Sequence, residues 1–416
     1  MEHAPLIEND AVVFGLLVAI LGFVFWGTSR PSGFWKKFYS IVPSLLVCYF
    51  LPSLFSTLGV ISGDVSELYT VAKNYMLPTA LVLLTLSVDF QGIRNLGPKA
   101  IIMFLTGTVG IMLGGPLSLL FFSWVSPGVV GGLGADEIWR GLTTVAGSWI
   151  GGGANQTAMK EVFEVGDGLF SAMVTVDVIV ANIWMACILF AAGRSKKIDA
   201  MNRADDTAIE RLKERVSKYQ TQIAEMPTLS SMMILLGVGF SVTGLSHLGG
   251  DFFGPWISEN APALNKYSLG SSFFWLVVLS TTGGLLLSVT RARKLEGVGA
   301  SRVGSVFIYI LVATIGMKMD LMAIVRNPQL FLIGGVWMLF HAFLLIVVAR
   351  IIHAPVFFLA VGSQANVGGA ASAPIVASAF HPSLAPVGVL LAVLGYALGT
   401  YGAWICGNLM RMVSSV

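Results

Sequence analysis

The sequence predicts an all-α polytopic membrane protein, and three observations support this fold class. The chain of 416 residues is 55% hydrophobic and only 11% charged, which leaves too few polar residues to cover a soluble globule. Apolar runs of about 20 residues, enough to span a hydrocarbon core of about 30 Å, recur from end to end. Two further segments of similar length are rich in Gly and polar residues. We therefore expect about ten transmembrane helices and two re-entrant or broken hairpins, arranged as two inverted repeats.

Ten apolar runs are the predicted spans. In chain order they are residues 11–27, 39–59, 74–89, 99–124, 169–192, 229–249, 268–290, 303–319, 329–352 and 384–409. The three cysteines, Cys48, Cys187 and Cys406, lie inside these runs, so they suggest neither a disulfide framework nor a metal site. The first ten residues are acidic rather than basic, which argues against a cleaved signal peptide.

Basic residues predict how the chain is oriented. Lys and Arg concentrate in the first and third loops and in the loop 193–228, and the positive-inside rule places these loops in the cytoplasm. The N-terminus is then outside the bacterial inner membrane. Segment 141–165 starts outside and the loop 193–228 is inside, so the chain crosses the membrane an odd number of times between them. Residues 169–192 supply that one crossing. Segment 141–165 should therefore enter and leave on one face, and segment 355–379 should do the same from inside.

The two odd segments carry related polar motifs, GSWIGGGANQTAMK at residues 147–160 and GSQANVGGAASAP at residues 362–374. Each arm of such a hairpin has about 10 residues and reaches about 15 Å, half of the hydrocarbon core. A non-helical tip at that depth is tolerated where protein surrounds it or where it lines a wet cavity. The alternative is a kinked transmembrane helix that uses Gly for close packing.

The two halves of the chain match when one is shifted by 215 residues. This shift superposes Gly147 on Gly362 and Ser148 on Ser363. We divide the chain into a first repeat (residues 1–192), a cytoplasmic amphipathic linker (193–228) and a second repeat (229–416). Each repeat holds five spans and one hairpin, and the odd number of crossings inverts the second repeat. Inverted repeats with broken segments at matching positions are typical of secondary transporters.

Polar side chains near the tips are the predicted substrate-binding residues. Hydroxyl and carbonyl oxygens suit a sodium ion, the helix ends favour an anionic group, and the two Gln amides suit a zwitterionic or amide-bearing solute. The alternative is that these side chains cap the broken arms and bind nothing. The predicted set is Ser148, Asn155, Gln156, Thr157, Ser363, Gln364, Asn366 and Ser372.

Asp177 is the predicted ion-coupling residue. It lies inside the span 169–192, where an ionised carboxylate costs at least about 2.5–3.5 kcal/mol. Its counterpart at the 215-residue shift is Ala392, so the repeat itself does not require an acid there. We expect it to bind a cation together with Asn155 and Asn366, or to carry a proton. The alternative is a neutral carboxyl group in a helix contact.

With these two motifs the chain is identified as a member of the DUF 819 family of bacterial integral membrane proteins. Its layout resembles that of the sodium/glutamate symporter family and of related inverted-repeat transporters. The resemblance implies ion-coupled transport by an elevator-like movement of a core domain, usually in a homodimer. The hairpin motifs of the symporter family read differently, so the resemblance does not imply glutamate as the substrate.

The resulting prediction is a secondary active transporter of a small polar organic solute, such as an amino acid, a carboxylate or a short peptide. Sodium is favoured over protons as the coupling ion, and no other cofactor is expected. The expected partners are the solute, the lipid bilayer and a second copy of the chain, without nucleic acid. The five scattered His residues form no zinc-protease pattern, which argues against an enzyme. A channel and a non-transporting scaffold or receptor remain the alternatives.

Overall fold

The computed structural model describes residues 5–30, 32–39, 42, 44–204, 226–318, 328–381 and 384–414. Within these ranges the regular structure is helical, and no strand is found. The principal helices in chain order are α1 (Asp10–Thr28), α2 (Ser44–Thr57), α3 (Leu77–Leu86), α4 (Pro98–Val125), α5 (Ile138–Val162), α6 (Asp167–Ala192), α7 (Leu229–Asn260), α8 (Ser272–Ser288), α9 (Ala300–Gly316), α10 (Leu330–Ile351), α11 (Val356–Val367), α12 (Gly369–Phe380) and α13 (Ala385–Ser414).

Local sequence explains where several of these helices begin. The Asn9 side chain accepts hydrogen bonds from the first free N–H groups of α1, and Thr228 forms a capping box with Ser231 at the start of α7. Helix α4 begins at Pro98, whose missing N–H costs nothing in the first turn. The preceding Gly97 has a φ of 91°, so it turns the chain sharply into the helix.

Six helices are long and apolar enough to cross a membrane: α1, α4, α6, α7, α10 and α13. A seventh candidate pairs α8 with residues 291–298, beyond a bend of 88°. Each predicted span coincides with a helix, but several of these helices are short, and the count of about ten is not confirmed. Helix α3, for example, has only ten residues and continues directly from a π-helical turn, Ala72–Met76. The apolar side chains that α7 exposes, such as Leu245 and Leu248, are those expected of a lipid-facing helix.

The helices pack into two bundles, and each bundle takes helices from both halves of the chain. The companion bundle contains α1, α2 and α3 with α7, α8 and α9. The hairpin bundle contains α4, α5 and α6 with α10, α11, α12 and α13. Each half of the chain therefore contributes three companion helices, followed by a helix, a broken segment and another helix. The bundles meet where α3 and α8 contact α5 and α13.

Each broken segment folds back so that its two ends meet. Hairpin 1 is α5, and hairpin 2 is α11 with α12. At the base of hairpin 1, Gly166 N donates to Ala135 O at 2.9 Å, and the Trp139 and Phe163 rings meet edge to face. At the base of hairpin 2, the ring centroids of Phe357 and Phe380 are 5.3 Å apart. A continuous helix of this length would separate its ends by about 36 Å, so both segments reverse direction.

The two hairpins enter the bundle from opposite ends. Hairpin 2 begins beside the first residues of α4, where Lys99 Nζ donates to His353 O at 3.0 Å. Hairpin 1 begins after the other end of the same helix, beyond Val125. Helix α6 gives the same result. It starts next to the end of hairpin 1, and the chain beyond its other end reaches Asp199, whose carboxylate accepts a hydrogen bond from the N–H of Val356, the first residue of hairpin 2. Most of the linker that is predicted to be amphipathic, residues 205–225, lies outside the described residues.

Candidate functional site

A glycine with positive φ breaks each hairpin at its tip. In hairpin 1 it is Gly152, with φ 72° and ψ −172°, and in hairpin 2 it is Gly369, with φ 58°. A side chain is strained in this region of backbone space, so these positions need glycine. The two arms of hairpin 1 touch just below the break, because a Cβ on Gly147 would lie 2.5 Å from Asn155 O. The non-helical tips are thus framed by helix ends on both sides.

The tips meet about a third of the way along α13, at Gly395. A Cβ at this position would lie 2.8 Å from the carbonyl oxygen of Ile150 and 3.3 Å from that of Ala365. Ile150 ends the first arm of hairpin 1, and Ala365 lies in the last turn of the first arm of hairpin 2. Glycine is what allows α13 to approach both ends so closely.

The amide of Asn155 holds hairpin 1 against α13. Its Oδ1 accepts from Thr400 Oγ1 at 2.7 Å. Its Nδ2 donates at 3.0 Å to two carbonyls, Gly151 O in its own segment and Tyr396 O in α13. Asn155 is fully buried, so these bonds supply the partners that a buried amide needs.

The amide of Asn366 repeats this pattern between hairpin 2 and α4. Its Oδ1 accepts from Thr108 Oγ1 at 2.8 Å, and its Nδ2 donates to Phe104 O and Gly362 O at 2.9 and 3.0 Å. In both cases one carbonyl lies four residues before the Asn and the other four residues before the Thr. The binding role predicted for Asn155 and Asn366 stays a prediction, and the structure shows both amides bridging helices.

Asp177 is buried in α6 and faces hairpin 1. Its Oδ1 accepts from Trp149 Nε1 at 2.7 Å, and its Oδ2 accepts from Gln156 Nε2 at 2.9 Å. Ser148 lies near this carboxylate. Among the described residues, no Lys, Arg or His forms an ion pair with Asp177. The structure therefore joins three of the predicted site residues, Ser148, Gln156 and Asp177, in one cluster around a carboxylate without a cationic partner.

Two buried amide oxygens near the tips have no hydrogen-bond partner. They are Gln156 Oε1 and Gln364 Oε1. The other end of each amide is bonded, Gln156 to Asp177 and Gln364 to Ser372 Oγ at 2.9 Å. A buried amide oxygen without a partner costs about 1–3 kcal/mol. Such atoms are available to coordinate a cation or to accept a hydrogen bond from a bound solute.

The remaining predicted residues have local or structural contacts. Thr157 Oγ1 donates to Gly153 O at 3.0 Å within hairpin 1. Ser363 belongs to a chain of polar groups that the sequence analysis missed. In this chain, Trp184 Nε1 lies 2.8 Å from Ser363 Oγ, which lies 2.8 Å from His341 Nε2. His341 Nδ1 lies 3.0 Å from Gly107 O, and because a carbonyl only accepts, Nδ1 carries the proton.

The one signal for His341 in the sequence was its place in the middle of an apolar run, where polar side chains need buried partners. Its contacts tie four elements together: α4 through Gly107, α6 through Trp184, α10 through His341 itself and hairpin 2 through Ser363. With Nδ1 protonated, Ser363 donates to Nε2 and accepts from Trp184. Every member of the chain is then satisfied, so the chain holds the first arm of hairpin 2 in position.

An ionic cluster joins the base of hairpin 1 to the companion bundle. Glu161 accepts a hydrogen bond from Tyr69 and pairs with Lys73 at 2.5 Å. The adjacent Lys160 is buried, contacts Tyr69 OH at 3.1 Å and pairs with Asp167 at 2.8 Å. Tyr69 and Lys73 precede α3, so these contacts cross between the two bundles. No local pattern indicates this cluster, because Tyr69 and Glu161 are 92 residues apart in the chain.

The tip of hairpin 1 faces the companion bundle. A Cβ on Gly153 would have Ile308 of α9 as its nearest neighbour, at 3.8 Å. Gly152, Gly153 and Gly368 are partly exposed, whereas the side chains next to them, such as Gln156, are buried. The tip of hairpin 1 therefore presents backbone groups towards the companion bundle. No group of three His, Cys, Asp or Glu residues that could hold a metal is found in the described part of the chain. The oxygen atoms described near the tips belong to carbonyls, amides and Asp177.

The fold and these contacts define a class: a multi-pass helical membrane protein with two opposed hairpins that meet inside one bundle. The chain belongs to the DUF819 family, described as a protein of unknown function, whose model matches residues 15–413. It is similar to YjcL of Bacillus subtilis (strain 168), described as an uncharacterized membrane protein. The two are 24% identical over 418 residues, which cover 98% of each chain.

Proposed function

We propose that this protein is a secondary active transporter of a small polar organic solute, coupled to sodium, in the bacterial inner membrane. One observation carries the proposal: the hairpins enter the bundle from opposite ends and bring their tips together at Gly395. A site at such a meeting point lies about halfway through the bilayer, where alternating access requires it. A continuous pore does not need two opposed hairpins.

The two bundles supply the parts that an elevator mechanism needs. The hairpin bundle is tied together internally by the Asn155, Asn366 and His341 contacts, so it can move as one body. The companion bundle would stay fixed in the lipid as the scaffold, with a second copy of the chain beside it. In this proposal the hairpins are re-entrant, the chain makes ten crossings in two inverted repeats, and the N-terminus lies outside.

Sodium is the proposed coupling ion because the tips are rich in oxygen atoms and Asp177 has no cationic partner among the described residues. One carboxylate neutralises one monovalent ion inside the membrane, which removes most of the cost of carrying its charge. The solute would occupy the space between the tips and the companion bundle. There the N-termini of the second arms and the amides of Gln156 and Gln364 can bind its polar groups.

A thermal-shift screen of the purified protein tests this function. Amino acids, carboxylates and short peptides are added with NaCl or with choline chloride, and a solute present at 100 times its dissociation constant stabilises by about 2.7 kcal/mol. The solute that stabilises the protein is then followed into proteoliposomes. We expect saturable uptake that requires an inward sodium gradient. Uptake that rises linearly with solute and ignores the gradient indicates a channel, and the absence of any stabilising solute favours a scaffold.

A further inference from the structure

We infer that a sodium ion binds where the carbonyl ends of the first arms of both hairpins converge on Gly395. The predicted ligand set of Asp177, Asn155 and Asn366 does not describe this site, because both Asn amides already bridge helices. The transport role of the ion rests on the proposed function, whereas its binding does not.

The two converging carbonyls belong to helix ends. The non-helical Gly152 interrupts the regular hydrogen bonding of the last turn before it, which contains Ile150. In hairpin 2, Gly368 N donates to Gln364 O at 2.9 Å, so the first arm ends within three residues of Ala365. Carbonyl oxygens at a helix C-terminus carry partial negative charge. Two such ends aimed at one point favour a cation there.

The electrostatic surroundings also favour a single positive charge. Trp149, which donates to Asp177, directly precedes Ile150 in the chain, so a single indole side chain connects this carboxylate, which has no cationic partner among the described residues, to the converging carbonyls. Lys160 is the one Lys or Arg that is buried among the described residues, and it lies at the base of hairpin 1 instead. One carboxylate without a cationic partner matches a monovalent ion better than a divalent one.

The unpartnered amide oxygens provide further hard ligands at the same turns of the chain. Gln364 immediately precedes Ala365, and Gln156 shares the carboxylate of Asp177 with Trp149. Their Oε1 atoms are buried without a partner, which costs free energy unless a ligand engages them. Carbonyl, amide and carboxylate oxygens are the ligand types that hard cations prefer.

Gly395 offers a direct test, because a methyl group there would lie 2.8 Å from Ile150 O and would push the carbonyl away. The matched control is Gly335 of α10, in the same bundle, where a Cβ would meet no atom within 4 Å. Thermal stability of the purified protein is measured at rising NaCl, with choline chloride holding the ionic strength constant. The same titration with KCl tests selectivity.

We expect NaCl to stabilise the wild type and Gly335→Ala equally, and KCl to stabilise them less. Gly395→Ala should need at least about tenfold more sodium for the same shift. If Gly395→Ala does not fold, Gln364→Met is used in its place, because it keeps the side-chain length and removes the amide oxygen; it should also weaken the sodium response. An unchanged sodium response in the folded variant, or equal responses to sodium, potassium and choline, overturns the inference.

The two proposals fail in different ways. Sodium stabilisation that Gly395→Ala abolishes, together with no solute uptake under any gradient, retains this site and rejects the transporter. Solute uptake driven by a proton gradient, without a sodium response in the stability assay, retains the transporter and rejects this site.

Discussion

The buried hydrogen bond between Gln156 and Asp177 can be tested by swapping the amide and the carboxylate between these two positions. The swap tests whether this bond holds hairpin 1 against α6. Both carboxylate oxygens accept from N–H donors, Trp149 Nε1 at 2.7 Å and Gln156 Nε2 at 2.9 Å. In Asp177→Asn one oxygen becomes an NH₂ group, which then faces an N–H donor. The variant loses a hydrogen bond to a charged group, worth about 1.5–3 kcal/mol, and we expect stability to fall by that amount.

The double variant Asp177→Asn with Gln156→Glu reverses the bond instead of breaking it. The new Asn can accept from Trp149 through its oxygen and donate to the new Glu through its NH₂ group. One negative charge remains buried in the same cluster. We therefore expect the second substitution to recover most of the stability that the first one removes, a coupling of more than about 1 kcal/mol between contacting residues.

The stability of the wild type, both single variants and the double variant is measured by thermal and denaturant unfolding in one detergent. If the double variant loses as much free energy of unfolding as the two single variants together, the bond between these side chains does not hold hairpin 1 against α6. The uptake assay is run on the same proteins. The moved carboxylate should lower the affinity for sodium even where stability is restored.

Two further predictions concern hairpin 1. Glu161→Gln should lower stability by about 1.5–3 kcal/mol, because it weakens the charged hydrogen bonds that join the bundles. Glu137→Gln, which weakens a more exposed pair at the start of hairpin 1, should cost under about 1 kcal/mol, and equal losses would count against the cluster as a link between the bundles. In a cysteine-free background, single cysteines at the exposed Asp136 and Glu164 should react with a membrane-impermeant maleimide from the same face of sealed vesicles, and labelling from opposite faces would restore a crossing helix.

Periodicity and composition in the sequence were sufficient to locate the helices, because an apolar run reports directly on burial in lipid or protein. They also indicated the two broken segments, since a Gly-rich polar stretch has few other uses inside a membrane protein. Asp177 could be recognised for the same reason: an isolated carboxylate in an apolar run requires partners. The identity of those partners, Trp149 and Gln156, depended on a fold-back that no local pattern specifies.

The bridges between distant segments could not be predicted. Asn155 and Thr400 are separated by 245 residues, and Asn366 and Thr108 by 258. One sequence without related sequences contains no information that pairs such positions. Gly395 shows the same limit, because many glycines lie in the apolar runs and only the packing distinguishes the one that two carbonyls approach. The hydrogen bonds also align the two hairpins differently from the 215-residue shift. Asn155 donates to Gly151 O and Asn366 donates to Gly362 O, so Gly151, rather than Gly147, corresponds to Gly362.

If the hairpin bundle moves against the companion bundle during transport, a disulfide bond that joins the two bundles should stop uptake. Thr281 of α8 and Thr400 of α13 face each other across the bundles, with hydroxyl oxygens 3.0 Å apart. Thr79 of α3 and Thr243 of α7 are a matched pair at 2.8 Å inside the companion bundle. Both pairs are replaced by cysteines in a cysteine-free background, where this spacing allows a disulfide to form.

Uptake of the stabilising solute is measured in proteoliposomes before oxidation, after oxidation and after reduction, with the reduced form of each variant as its reference. We expect oxidation to abolish uptake through Thr281→Cys/Thr400→Cys and reduction to restore it, while Thr79→Cys/Thr243→Cys stays active throughout. Full uptake through the oxidised Thr281→Cys/Thr400→Cys protein, with the disulfide verified by mass spectrometry, would contradict a moving hairpin bundle.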